Sequence, residues 1–235
     1  MLIVANGAFK CGSTWQCDIL RGLVEPEPVP EEFQHPTWSN PSIDPQKLPD
    51  FLARRQHVAK NFVSKNHIHS DVKLARALID DPHVLVFNLT RHIGDVLVSA
   101  YHHDVRIGAF SGDTIEEYYW GPGKGRIHGV LNHHRFWNVG HPGVFVGSYE
   151  ALHTDFATEV QALASFLKVD LDASKLEQIQ HKTAFDKIAV TGPGKFRRKG
   201  IVGDSQDTLS DEVLKDLRLR TTNLQTPSPD KVGRP

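Results

Sequence analysis

The segment GAFKCGSTW near the start of the chain contains most of a phosphate-binding loop. Such loops follow the pattern G-x-x-x-x-G-K-[ST], and Gly7, Gly12 and Thr14 occupy three of its fixed positions. Ser13 stands where the pattern has its lysine, whereas Lys10 lies inside the loop. Because the missing lysine contacts the β- and γ-phosphates of a nucleoside triphosphate, the spacing favours a single 5′-phosphate instead. Backbone N–H groups and the following helix N-terminus would hold that phosphate.

Two further clusters have residue types that suit anions. Arg91 follows the apolar run HVLVFNLT, and Ser99 comes eight residues later. An arginine can bind a phosphate through two parallel hydrogen bonds. The basic run KFRRKG places Arg198 and Lys199 directly before Gly200, where a glycine lets the backbone bend closely around an anion. Taken singly, each cluster also fits a sheet-end arginine or a solvated basic face. Together they predict a nucleotide with 5′- and 3′-phosphates on one ribose.

These residues must be positioned by regular elements, which hydrophobic periodicity predicts. Strands are expected at four places, namely residues 2–6, 57–67, 83–91 and the start of 143–152. Helical patterns follow each strand, and Ser13 or Thr14 is expected to cap the first helix. The proline-rich residues 25–49 lack periodicity and are expected to form a long surface excursion. Strands that alternate with helices predict an α/β fold: a parallel β-sheet flanked by helices on both faces, in the three-layer architecture of P-loop NTPases. Ligands would bind at the carboxyl ends of the strands.

Composition limits the class of protein. The 235 residues include 27 basic and 28 acidic side chains, so the overall charge predicts neither nucleic-acid nor membrane binding. No run of about 18 apolar residues is present, and the two cysteines, Cys11 and Cys17, do not make a disulfide framework. We expect a cytoplasmic protein with a single domain over residues 1–225. The proline-rich residues 226–235 are expected to form a flexible tail.

Three motifs, in order, resemble those of the cytosolic-type sulfotransferase family. KCGSTW matches the family's K-x-G-[ST]-T-W loop, RHIGDVLVS resembles its second motif, and RKGIVGD matches R-K-G-x-x-G-D. This family uses 3′-phosphoadenosine 5′-phosphosulfate (PAPS) as co-substrate and releases adenosine 3′,5′-bisphosphate (PAP). The resemblance therefore implies a sulfotransferase that moves a sulfuryl group from PAPS to a small molecule and requires no metal ion.

The resemblance also assigns donor-binding residues position by position. The 5′-phosphosulfate is assigned to the loop residues Lys10, Cys11, Gly12, Ser13 and Thr14, with Trp15 stacked on the adenine. The 3′-phosphate is assigned to Arg91, Ser99, Arg198, Lys199 and Gly200. SYEAL is similar to the family's Y-E-D-M segment and HKTAF to its H-T-S-F segment, which assigns the nucleoside to Tyr149, Thr183 and Phe185.

A general base is still required to take the proton of the acceptor. SKNHIHS is similar to the family's K-T-H-x-P segment, in which the histidine is the base, so His67 is the predicted base and Lys65 a second cation. Lys10 would stabilise the leaving 5′-phosphate during in-line transfer. Ser99 completes the predicted catalytic set. His69 stands where the family usually has proline and is expected to face the acceptor.

The chain departs from the family at several positions. Ser205 and Gln206 replace the usual W-K after the third motif, and the C-terminal K-x-x-x-T-V-x-x-x-E segment is absent, which leaves the oligomeric state open. Aromatic residues in 25–50 and 104–140 predict a pocket for a small acceptor with a hydroxyl or an amine.

Three alternatives remain open at this point. A P-loop kinase or NTPase would bind ATP with magnesium, and a catalytically silent nucleotide-binding module would bind PAP without turnover. The paired histidines, such as those at 133 and 134, are also candidates for a metal site, although their spacing does not complete a tetrahedral ligand set.

Overall fold

The computed structural model describes residues 1–36, 42–69, 71–184 and 200–222. Its strands form one parallel sheet in the order β2-β1-β3-β4. They are β1 (Leu2–Ala5), β2 (Phe62–Lys65), β3 (Val84–Thr90) and β4 (Val144–Ser148). Residues 226–235 lie outside the described residues, so the single domain and its tail stay predictions.

Helices connect the strands and cover both faces of the sheet. In chain order they are α1 (Ser13–Val24), α2 (Leu48–Ala53), α3 (Gln56–Ala59), α4 (Val72–Ile79), α5 (Ile93–Arg106), α6 (Ile115–Tyr118), α7 (Lys124–Trp137), α8 (Tyr149–Thr154), α9 (Phe156–Leu167), α10 (Ala173–Thr183), α11 (Asp204–Thr208) and α12 (Asp211–Thr222). A π-helical turn, Tyr119–Gly123, joins α6 to α7. None of the described helices has the length and hydropathy needed to cross a membrane.

The central strand β1 explains why the sequence starts with an apolar run. All four of its residues are fully buried. Leu2 and Val4 belong to the hydrophobic cluster that includes α2 and α4, whereas Ile3 and Ala5 belong to the one that includes α1, α9 and α10. Alternate side chains of a strand point to opposite faces, so both faces must be apolar when both are covered. The predicted α/β fold with helices on both faces is confirmed.

The register of the sheet gathers the strand ends. Ala5 of β1 pairs with Lys65 of β2, and Thr90 of β3 pairs with Ser148 of β4. The carboxyl ends of all four strands therefore meet at one edge. The chain crosses from one side of β1 to the other between β2 and β3, so β1 and β3 flank the point at which parallel α/β sheets bind ligands.

Two local predictions were wrong. The strand expected over 57–67 is limited to Phe62–Lys65, because its partner β1 offers only four residues for pairing, and α3 occupies part of the remainder. Residues 25–49 were expected to form a surface excursion, yet Phe33, Ile43 and Leu48 are buried at 2% exposure or less. The backbone N–H of Ile43 donates to Ser64 Oγ at 2.8 Å, so this segment covers the edge strand β2.

Two neighbouring histidines of α7 are enclosed by the fold. His133 is 1% exposed, and neither of its ring nitrogens has a hydrogen-bond partner among the described residues. Burial, followed by the neighbouring His134, His69 and His67, lowers the pKa of His133 to about 3. Burial also lowers the pKa of His134 to about 4, and its Nε2 lies 3.5 Å from Cys11 Sγ. The folded chain therefore keeps both rings neutral at mildly acidic pH.

Acid should destabilise the fold through His133. The unfolded chain binds a proton at the ordinary histidine pKa of about 6.5, whereas the folded chain binds it only near pH 3. Stability from this group is thus complete above pH ~6.5 and declines as the pH falls below that value. At pH 5.5 the loss is about 1 kcal/mol. We expect His133→Phe to lose less stability than the native chain between pH 7.5 and 5.5 in urea unfolding.

The exposed His128 on the same helix provides the control. His128→Gln should retain the pH dependence of the native chain, because its ring lies outside the core. Equal pH dependence in His133→Phe and the native chain would show that folding does not suppress the protonation of His133.

Candidate active site

The loop between β1 and α1 is shaped by two left-handed residues. Lys10 has φ +64° and Gly12 has φ +93°. A Cβ on Gly12 would come within 2.5 Å of the Tyr149 ring, so only glycine fits there. The backbone of the loop therefore turns tightly against the residue that follows β4.

Helix α1 begins without a side-chain cap, contrary to the prediction that Ser13 or Thr14 would supply one. Gly12 is the N-cap, and both hydroxyl residues lie inside the first turn. Thr14 Oγ1 instead accepts a hydrogen bond from Lys65 Nζ at 3.2 Å. The first N–H groups of a helix have no intrahelical acceptor, so this N-terminus offers unsatisfied donors and a positive partial charge to an anion.

Cations from three strand ends surround this helix N-terminus. Lys65 ends β2, Arg91 follows β3, and Lys10 lies in the loop after β1. The pKa of Lys10 is lowered to about 8, mainly by burial and then by the positive charges of Arg106, Arg91 and Lys65, against the opposing effect of Asp104. Burial also lowers the pKa of Lys65. Positive charges that disfavour one another indicate a site built for an anionic ligand.

Arg91 connects the loop to two other motifs. Its Nη1 donates to the carbonyl oxygen of Lys10 at 3.2 Å, and its Nη2 donates to that of Ile201 at 3.2 Å. Its guanidinium lies 4.0 Å from the centre of the Tyr149 ring. Nε has no hydrogen-bond partner among the described residues. The arginine is thus held in place while one buried donor remains unsatisfied.

The third motif is attached to the second through a buried carboxylate. Asp95, in the first turn of α5, accepts hydrogen bonds from the backbone N–H groups of Gly203 at 2.8 Å and Ser205 at 2.9 Å. Gly200 at the start of this loop has φ +64°, which suits glycine. Ser99 lies one turn after Asp95 and is half-buried. Arg198 and Lys199 lie outside the described residues.

Aromatic side chains form a cluster around Trp15. Its ring is 5.6 Å from Tyr149, 4.8 Å from His153 and 6.1 Å from Phe156. The sequence prediction included Tyr149 but missed His153 and Phe156, although His153 lies one helical turn after Tyr149. That spacing is the signal that could have found it.

Of the two residues predicted from HKTAF, the structure describes only Thr183. Thr183 ends α10 and is buried, and its hydroxyl donates to the carbonyl oxygen of Ile179 at 2.8 Å. That bond satisfies the hydroxyl within its own helix. Phe185 lies outside the described residues.

His67 is oriented by the backbone of the phosphate loop. Its Nδ1 lies 2.7 Å from the carbonyl oxygen of Gly7. A carbonyl oxygen can only accept, so Nδ1 carries the proton and Nε2 has the free lone pair. Burial lowers the pKa of His67 to about 4, opposed by the Gly7 hydrogen bond and assisted by Lys65. The ring is therefore neutral at pH 7 and able to take up a proton at Nε2.

A cavity of about 480 Å³ opens beside His67. Its lining includes Phe9 and the predicted acceptor-facing His69, together with Pro122, Arg126 and Val130 around α7. Residues 104–140 contribute five residues to this lining, none of them aromatic, so the predicted aromatic acceptor pocket stays a prediction. Of residues 25–50, none that the structure describes lines this cavity, and the buried Phe33 packs at 5.2 Å against the Phe51 ring instead.

The metal-site alternative gains no support from the geometry. Within the described ranges, no group of three or more His, Cys, Asp or Glu side chains could hold a metal ion. Cys11 and Cys17 are both free and buried, and burial raises the pKa of their thiols to about 12 and about 11.

Comparisons with known proteins agree with this geometry. A family model described as "Sulfotransferase domain" matches residues 2–223. The mouse sulfotransferase SULT7A1, solved in complex with PAP, superposes with a TM-score of 0.71 at 18% identity, over 97% of this chain and 84% of that one. Retinol dehydratase in complex with androsterone and inactive cofactor PAP gives 0.65 at 16% identity, over 100% and 82%.

A bacterial structure shares the fold as well. The sulfotransferase from Alicyclobacillus acidocaldarius superposes with a TM-score of 0.53 at 16% identity, over 94% of this chain and 91% of that one. These structural likenesses establish the fold, and the family model covers nearly the whole described chain. The chain belongs to the sulfotransferase family, as its three motifs predicted.

Proposed function

We propose that this sulfotransferase transfers a sulfuryl group from PAPS to a hydroxyl group of a small molecule held in the cavity beside His67. The observation that carries the proposal is an uncapped helix N-terminus surrounded by Lys10, Lys65 and Arg91. PAP in the solved relatives, and androsterone in one of them, support the donor and the size of the acceptor. An amine acceptor remains the second possibility for the same site.

Each part of PAPS can be matched to groups of this site that would bind it. The N–H groups of the first turn of α1 would hold the 5′-phosphate, with Lys10 and Lys65 neutralising its charge. Arg91, Ser99 and the loop that begins at Gly200, with Arg198 and Lys199, would hold the 3′-phosphate. The adenine would lie against Trp15 and Tyr149, with His153 and Phe156 extending the aromatic surface and Thr183 and Phe185 nearby.

The transfer step then uses His67 and the two lysines. Nε2 of His67 accepts the proton of the acceptor hydroxyl as its oxygen bonds to sulfur. The bond between sulfur and the 5′-phosphate oxygen breaks at the same time, and PAP departs with the electron pair. Lys10 and Lys65 stabilise the negative charge that develops on that oxygen. A sulfuryl group has less negative charge than a phosphoryl group, so lysines can act without a metal ion.

The kinase or NTPase alternative is weakened at two positions. Ser13, buried at 5% exposure, replaces the catalytic lysine of triphosphatases. Thr14, whose hydroxyl would bind magnesium in those enzymes, instead accepts from the Lys65 ammonium. A silent module has no use for a histidine oriented with Nε2 free. A cytoplasmic location is part of the proposal, since Cys11 and Cys17 are free thiols.

Ligand preference tests the donor directly. Calorimetric titration of the full chain should show binding of PAP at micromolar or tighter affinity in the absence of metal, because the site supplies its own cations. ATP with magnesium is the comparison, because the loop lacks the lysine that contacts the β- and γ-phosphates of a nucleoside triphosphate. Binding of ATP with magnesium but not of PAP would exclude PAPS as the donor.

The role of His67 as a base can be tested separately from its hydrogen bond to the Gly7 carbonyl oxygen. His67→Asn keeps an amide donor for the Gly7 carbonyl oxygen but removes Nε2, so turnover should fall by a factor of about 100 or more while PAP affinity changes little. His128→Asn is the matched control, since that ring is exposed and His128 is not among the residues that line the cavity. Turnover near the native level in His67→Asn would remove His67 from the base role.

The 3′-phosphate assignment of Arg91 can be measured against a ligand that lacks it. Arg91→Ala should weaken PAP by at least about tenfold more than adenosine 5′-monophosphate, because hydrogen bonds to charged groups contribute about 1.5–3 kcal/mol. The exposed Arg76 of α4 provides a control, Arg76→Ala, which should leave both affinities unchanged. Equal losses for the two nucleotides in Arg91→Ala would place Arg91 elsewhere than at the 3′-phosphate.

A further inference from the structure

Two glycines of α7 line the cavity beside His67 without any packing reason to be glycine. A Cβ added to Gly125 or to Gly129 would meet no atom within 4 Å, and neither residue has a positive φ. Both lie inside a 14-residue helix, where glycine is unfavourable compared with alanine. Neither close packing nor backbone conformation therefore explains them.

The cavity itself explains them. Gly125 and Gly129 are four residues apart, so they lie on one face of α7, and both belong to the lining of the cavity. Without side chains they leave a strip of bare helix backbone in the same cavity lining as His67. Phe9 and Val130 make the surroundings of this strip apolar. A flat ring could lie on such a strip at van der Waals distance, whereas two side chains would fill that space.

A fixed guanidinium lies on the same side of the cavity. Arg126 donates from Nε and Nη2 to the two carboxylate oxygens of Asp104, at 3.1 and 3.4 Å. Asp104 is buried and also accepts from the Tyr118 hydroxyl at 2.7 Å. The Arg126 side chain is nonetheless 45% exposed, and its Nη1 makes no hydrogen bond within the part of the chain that the structure describes. One end of the guanidinium is thus held rigidly while the other can bind a ligand.

The charges around this arginine also favour an anion. Burial, followed by the positive charges of Lys10, Arg106 and Arg126, lowers the pKa of the nearby His103, and the carboxylate of Asp104 opposes this effect. The ion pair with Asp104 therefore does not neutralise the neighbourhood. An arginine whose orientation is fixed in advance loses little conformational entropy on binding a carboxylate.

We propose that the acceptor is a hydroxylated aromatic ring with an anionic substituent, such as a carboxylate. The ring lies on the backbone of Gly125 and Gly129, the anionic group accepts from Arg126, and the hydroxyl faces Nε2 of His67. The transfer is the one described above: the hydroxyl oxygen gains the sulfuryl group, His67 takes the hydroxyl proton and PAP leaves. This inference rests on the proposed function and names its acceptor class.

A pair of acceptors that differ only in charge tests the role of Arg126. With saturating PAPS, p-hydroxyphenylpropionate should give a kcat/KM at least about tenfold above that of its methyl ester. Arg126→Gln should abolish most of that preference, so that the ratio of the two kcat/KM values approaches one. Arg54→Gln is the matched control, because Arg54 is an exposed, ion-paired arginine distant from the cavity lining.

The glycine strip has a signature that a purely structural role would not produce. Gly129→Ala should raise the urea midpoint, since alanine favours the helix and the site has room. The same variant should raise the KM for the aromatic acceptor several-fold. His128→Ala, on the exposed side of the same helix, should leave that KM unchanged.

The results of these experiments distinguish the proposed acceptor class from the proposed function. An equal kcat/KM for acid and ester in the native enzyme, or a preference that persists in Arg126→Gln, would overturn the anionic acceptor. PAP binding without sulfation of the acid, the ester or phenol would also overturn it and leave the donor proposal standing. Failure to bind PAP would overturn the proposed function itself.

Discussion

Three positively charged side chains lie close together where the strands of the sheet end, and the fold must hold them there against their mutual repulsion. Lys10 lies within electrostatic reach of Arg91 and Lys65, at the N-terminus of a helix that no side chain caps. Lys10 also adopts a left-handed backbone conformation, which is unfavourable for a residue with a Cβ. The covered sheet provides the rigidity that this arrangement needs, because strands buried on both faces bring their carboxyl ends to fixed positions.

The elements that depend on local pattern were predicted well, and those that depend on distant partners were not. The apolar runs of β1 and β3 specify buried strands, and the glycine-containing segment after β1 specifies the loop that leads into α1. The length of β2, in contrast, is set by pairing with β1. Likewise Thr14 was expected to cap its own helix, but it accepts from Lys65, which is 51 residues away in sequence. The hydrophobic periodicity of a sequence carries no information about contacts between residues so far apart.

The same distinction applies within the catalytic site. Residue type and motif predicted His67 as the base, but a sequence does not say which ring nitrogen carries the proton. The Gly7 carbonyl, 60 residues away, decides this by accepting from Nδ1. The aromatic surface around Trp15 shows a related limit. Phe156 lies outside the matched motifs and reaches Trp15 through the packing of α9 on α1, whereas the spacing of His153 from Tyr149 can be read from the sequence.

The departure after the third motif has a local physical explanation. Where the family commonly continues with tryptophan after R-K-G-x-x-G-D, this chain has Ser205, which is fully buried and donates its backbone N–H to Asp95. A Cβ on Gly94 would lie 2.7 Å from the Ser205 Cβ, so the loop and α5 approach too closely for larger side chains at this point. Asp95 and Gly94 therefore make the second and third motifs one structural unit. Because Arg91 at the start of that unit also donates to Ile201, the residues assigned to the 3′-phosphate depend on the same buried carboxylate that holds the loop.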